Sequence, residues 1–113
     1  MDSRLIINFL HVLIICPALI YVGLAREKIP PAAFVALGLT GIVVFFYHAY
    51  KFYNRGDNES GWVYLIHILL VAPLLILIGF HGKQTSRRFF EMLLLVAFAA
   101  LGYHGLNIVR YYN

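Results

Sequence analysis

The sequence predicts an all-α protein: an integral membrane four-helix bundle built from two tandem, parallel helical-hairpin repeats related by a pseudo-two-fold axis. Three observations carry this. Of its 113 residues, 62% are hydrophobic and 12% charged, whereas an ordinary globular domain carries about 25% charged residues. The few charges divide the chain into four long uncharged runs. A shift of 56 residues then lays the second half on the first without a gap. A domain this small buries only about two-thirds of its surface, so such an apolar excess has no place to hide in water. Composition therefore excludes a disordered chain, a disulfide scaffold and a soluble enzyme domain.

The runs locate the helices. Uncharged stretches of 21, 22, 23 and 18 residues lie between Arg4 and Arg26, Lys28 and Lys51, Glu59 and Lys83, and Glu91 and Arg110. A membrane-spanning helix needs about 20 apolar residues. Helices are expected near Leu5–Leu24, Pro31–Tyr53, Trp62–Phe80 and Phe89–Tyr112, within a single transmembrane domain over 1–113. No period-two alternation supports strands. The first run is too long for a signal-peptide core, and Pro30-Pro31 follows it in place of a small-residue cleavage site. Ala25–Pro30 and His81–Arg88 are expected as short connections on one side, the latter placing His81 in a solvated loop. Asn54–Gly61, reading NRGDNESG, forms the polar turn on the other.

The repeat covers about 5–54 and about 61–110. FLHVLIICPALIYVGL (9–24) falls on LIHILLVAPLLILIGF (65–80), and the register continues until Tyr47-His48 meets Tyr103-His104. Leu and Ile matches carry little weight in so apolar a chain. His11/His67, Pro17/Pro73, Gly23/Gly79 and the two Tyr-His pairs carry the argument. Two spans per unit make both copies enter the membrane the same way round, so the repeat is parallel.

His11, His48, His67 and His104, one per helix, are expected about 8–12 Å inside one membrane face. With Tyr47, Tyr103, Lys51 and Asn107 they make an intramembrane polar layer, and Asn8 and Tyr64 lie one turn outward from His11 and His67. Small residues mark the faces where membrane helices approach closely: Gly23, Gly38, Gly41, Gly79, Ala97 and Ala100. Pro17 and Pro73 sit mid-span, as packing kinks or as gating hinges. The layer has three readings. It is a structural hydrogen-bond network, a proton or cation path, or a site where the four histidines ligate haem or a transition metal. No cofactor is expected under the first.

Tyr47, Tyr50, Tyr53, Trp62, Tyr64, Tyr103, Tyr111 and Tyr112 read as an interfacial aromatic belt. Glu91, a turn from Arg87 and Arg88, reads as a helix-start ion pair. Cys16 has no partner for an internal disulfide and reads as a small hydrophobe. The net charge of +4 comes from nine cations and five anions at the ends of the apolar runs. These are membrane anchors, and no nucleic-acid partner is expected. Five cations on the side of the first and third connections against four on the other lean those connections toward the cytoplasm. No phosphate loop, nucleophile elbow, zinc-helix signature or potassium filter appears, so no enzyme is expected.

The pattern H-x5-P-x-L-I-x-x-G followed by a span ending in Tyr-His resembles short multi-span membrane proteins of large DNA viruses. Its carriers are His11, Pro17, Gly23 and Tyr47-His48, then His67, Pro73, Gly79 and Tyr103-His104, and the likeness covers about nine-tenths of the chain. It implies a component of an internal virion membrane, or of the host membrane from which that forms, with membrane or capsid proteins as partners. No catalytic residue carries over from it. The leading expectation is a non-enzymatic structural or assembly protein in the lipid bilayer, self-associating through faces such as Gly38, Gly41 and Ala97. A small proton or cation channel and a haem- or metal-binding protein are the alternatives.

Overall fold

The computed structural model describes residues 2–113, most of them helical and none in a strand. Four helices are long and apolar enough to cross a membrane: α1 (Ser3–Lys28), α2 (Pro31–Arg55), α3 (Gly61–Gln84) and α4 (Arg87–Tyr112). Asp2 caps α1 with a 2.8 Å bond from the Arg4 amide to its carboxylate, satisfying one donor that a helix start leaves over. Pro31 occupies the first turn of α2, where its missing N–H costs nothing. The polar turn is closed by Asn58, whose side chain accepts from the Ser60 amide at 2.8 Å.

The helices run further than the uncharged runs suggest. After Ala25 and His81 the chain makes one more turn of 3-10 helix, Arg26–Lys28 and Gly82–Gln84. His81 is therefore the last residue of a helical segment and not a loop residue; its ring Nδ1 donates to Leu77 O at 2.9 Å, and it is exposed. Both 3-10 turns open with the same unusual backbone. Gly82 has φ 58° and ψ −131°, Arg26 φ 55° and ψ −126°. Glycine accepts this conformation at no steric cost. An L-residue there is strained by on the order of 1–3 kcal/mol, and among the described residues Arg26 alone is a non-glycine with positive φ.

Pro17 and Pro73 are absorbed in a specific way. Each follows a five-residue π-helical turn, His11–Ile15 and His67–Val71, in which the Cys16 and Ala72 amides reach back to the carbonyls of His11 and His67. Each proline thus stands at the start of a fresh α-helical segment, where no amide is demanded of it. π turns are one of the identifiable ways a helix accommodates an irregularity.

Two compact helix pairs result. One joins α1, as far as Arg26, with α4 from Phe90 onward; the other spans Glu27–Phe89 and contains α2 and α3. Each pair takes one helix from each sequence hairpin. In the first pair, a Cβ on Gly23 would lie 2.6 Å from Leu94 Cγ and 3.2 Å from Phe90 O. Leu19, Val22, Phe90, Leu93 and Ala97 are buried, as is the Cys16 thiol. In the second pair, Gly79 abuts Gly38 backbone to backbone, and Gly41 meets Leu75 and Ile76. Phe34, Leu37, Leu74, Leu75 and Ile78 fill this pair. Gly38 and Gly41 are thereby spent inside the chain, and Ala97 is fully buried. These close approaches lie within the chain, and each helix packs its small residues against its partner in the pair.

Lys83 and Thr85 finish the second pair at its connections. Lys83 Nζ donates to Glu27 O at 2.8 Å and Ile29 O at 3.3 Å. The Thr85 hydroxyl, buried, reaches Gly82 O at 2.7 Å and Ile78 O at 3.3 Å. Thr85→Val keeps the shape and removes the hydroxyl's bonds, while Gly82 O keeps the Thr85 amide and Ile78 O the Gly82 amide, a loss of about 1 kcal/mol. Thermal unfolding in detergent should rank Thr85→Val below Thr85→Ser; equal midpoints would show that the hydroxyl contributes nothing.

Outward-facing positions are as apolar as the inner ones. Leu13, Leu69, Val43, Leu95 and Phe80 are all exposed, Phe80 at 87%. Exposed apolar side chains in such number are poorly solvated by water.

Candidate functional site

The structure brings the four histidines of the expected polar layer together two by two. In the first helix pair, the His11 and His104 rings stack with centroids 4.1 Å apart and planes at 22°. In the second, His48 and His67 stack at 4.0 Å and 6°. Each contact is possible because the helices approach closely elsewhere along their length, at Gly23 in one pair and at Gly38 and Gly79 in the other.

Backbone carbonyls orient three of the rings. Nδ1 of His11 donates to Ile7 O at 2.8 Å, that of His48 to Val44 O at 2.8 Å, and that of His67 to Val63 O at 2.7 Å, each four residues back on its own helix. His104 differs: its Nδ1 donates to the Asn8 side-chain carbonyl of α1 at 2.7 Å. It is also the most enclosed of the four, 6% exposed. A neutral imidazole that donates through Nδ1 carries its lone pair on Nε2. All four rings are thus set in one tautomer by the acceptor each finds.

Tyrosines flank the stacks. Tyr47 sits edge-on to His48 at 5.1 Å and Tyr103 edge-on to His104 at 5.1 Å. Tyr64 tilts toward His48 at 6.4 Å. Lys51 is half-buried, with Nζ 5.6 Å from the centre of the Tyr47 ring, a cation–π distance. Asn107 and Ala100 lie half-buried on α4, one turn to either side of His104. Pro17 and Pro73 are exposed. The contact that the sequence reading does not find is the one between Asn8 and His104. Asn8 is legible as a polar residue one turn from His11, but its partner comes from the far end of the chain.

Stacking limits what the histidines do together. A ring-nitrogen lone pair lies in the plane of its ring, so two parallel rings 4.0 Å apart direct their lone pairs side by side. One metal ion held by both would need the two directions to converge at about 2.0–2.1 Å from each nitrogen. Among the described residues no group of three or more His, Cys, Asp or Glu gathers in metal-binding geometry. What the arrangement offers is a dispersion contact between flat rings, fixed in orientation at Nδ1, with Nε2 as the basic atom.

By the length and hydropathy of its four helices, the chain is of the helical membrane-protein class. No protein-family model, curated protein or solved structure matches it.

Proposed function

We propose that the chain is a non-enzymatic integral membrane protein, a structural or assembly component of its membrane, in which stacked imidazoles lock the helix pairs in register. The observation that carries this reading is the double constraint on each ring: Nδ1 tied to a carbonyl and one face covered by a second imidazole. A group held so firmly serves packing well, because the orientation entropy is already lost and a buried polar group has an acceptor. The chain reads as a duplicated hairpin assembled as a four-helix bundle. Matching π turns, matching backbone at Arg26 and Gly82, and matching histidine stacks support the duplication. The viral resemblance of the sequence makes a virion or host endomembrane the proposed setting, with the α1–α2 and α3–α4 connections cytoplasmic and with further copies or other membrane or capsid proteins as partners.

Proton conduction is the second reading, favoured by one observation: basic Nε2 atoms occur within spans of otherwise apolar sequence. Purified protein in liposomes carrying a pH-sensitive dye separates the two. The structural reading expects proton entry at the empty-vesicle rate for wild type and for His48→Phe/His104→Phe alike. Entry above that rate, abolished by the double substitution in a protein that remains folded, would overturn the structural reading.

A further inference from the structure

Arg26 occupies a backbone conformation that the matching turn fills with glycine. Gly82 shows what the turn itself requires: φ 58°, an amide bonded to Ile78 O, and open space around a Cβ, the nearest atoms being the Phe34 ring at 4.0 Å. Arg26 has the same backbone, with φ 55° and its amide bonded to Val22 O. Nothing in the fold therefore calls for a side chain here, and the backbone penalises one. A side chain kept where the backbone disfavours one directs attention to what its guanidinium could bind. Arg26 is half-buried, and among the described residues no hydrogen bond or ion pair engages its side chain. The Lys83 ammonium, by contrast, is taken up by Glu27 O and Ile29 O.

Depth identifies the ligand. At about 1.5 Å per residue, α1 from Ser3 to Ala25 covers about 33 Å, and a bilayer's hydrocarbon core is about 30 Å thick. Arg26 thus stands just past the hydrocarbon, at the level of the headgroups, with Lys28 exposed two residues on. A guanidinium presents a rigid fork of donors that matches a phosphate oxygen pair. We propose that Arg26 is a docking point for the phosphate of an anionic phospholipid, which completes the strained turn between α1 and α2. This rests on the membrane reading above.

The test uses full-length protein in a neutral detergent, with thermal unfolding followed as phosphatidylglycerol, phosphatidylcholine or inorganic phosphate is added. Wild type should show a saturable rise in midpoint with phosphatidylglycerol and none with the other two. Arg26→Gly should unfold a few degrees higher than wild type without lipid, because the strain is gone, and should lose at least half of the lipid-dependent rise. Arg26→Lys should keep part of that rise, and Arg88→Gln, with the same loss of charge, should keep it nearly whole. An undiminished lipid response in Arg26→Gly, or an equal loss in Arg88→Gln, overturns the site. An equal shift with inorganic phosphate overturns the assignment to lipid. Resistance of the wild type to alkaline carbonate extraction from membranes reports insertion separately, so failure of the membrane reading is distinguished from failure of the site.

Discussion

Gly79→Val should cost about 3 kcal/mol, at the upper end of what overpacking a tight interface costs. A Cβ at Gly79 would lie 2.5 Å from Gly38 Cα, 2.6 Å from Gly38 N and 2.8 Å from Phe34 O. All three are backbone atoms of α2, which cannot rotate away as a side chain can. The helices must separate, and with them the contact of His48 on His67. Gly102 provides the comparison on the same kind of helix, since nothing lies within 4 Å of a Cβ built there. Gly102→Ala should leave stability unchanged or raise it by up to about 1 kcal/mol through helix propensity. Reversible unfolding in mixed detergent micelles measures both. A Gly79→Val protein as stable as wild type would mean that the Gly38–Gly79 approach does not hold the pair together.

The two histidine stacks should respond unequally to the same substitution. His104→Phe keeps a flat ring against His11 but strips Asn8 of the donor it accepts at 2.7 Å, leaving a side-chain amide without it inside the helix pair. A fully buried acceptor so abandoned costs about 1–3 kcal/mol, but Asn8 is half-buried and interhelical bonds in membranes average nearer roughly 0.6 kcal/mol, which favours the low end. At Nδ1, His48→Phe gives up a bond to Val44 O, a carbonyl of its own helix, and should cost less. The expected order of stability is therefore wild type, then His48→Phe, then His104→Phe. In a double-mutant cycle, Asn8→Ala should be nearly silent once His104 is phenylalanine. Additive losses from Asn8→Ala and His104→Phe would show that the two side chains act independently.

The number and approximate place of the four helices were legible in the sequence because few charges interrupt the long apolar runs, although the 3-10 turns carry two helices past the charges that flank those runs. Which face of a helix meets which neighbour was far less legible. In water, apolar periodicity separates inside from outside. Here Leu13 and Leu69, fully outward, are as apolar as Leu19 and Leu75 within, so periodicity is silent and only glycines and polar residues speak. Gly23, Gly38, Gly41 and Gly79 stand where another helix comes close, but a glycine in the sequence does not say whether that neighbour is the same chain or another copy. Gly38 and Gly41 have neighbours within the chain. The pairing of α1 with α4 depends on contacts between residues some ninety positions apart, such as Asn8 and His104, for which one sequence holds no local sign. Arg26 was hidden for the opposite reason. The side chain that occupies the turn is the one that its backbone disfavours, so residue type pointed away from the conformation.

The π turns fix a phase between the two ends of each pair. His11 and Gly23 are 12 residues apart, as are His67 and Gly79. At about 100° per residue in an uninterrupted α-helix, those positions would diverge by about 120° and face different neighbours. A π turn takes up one residue without that rotation, which reduces the divergence to about 20°. The imidazole and the glycine then look at the same helix: His11 at His104 and Gly23 at Leu94, His67 at His48 and Gly79 at Gly38. The extra residue acts as a mechanical vernier, a fixed correction in angle that lets the partner helix read two points on its neighbour that the sequence spacing alone would turn apart.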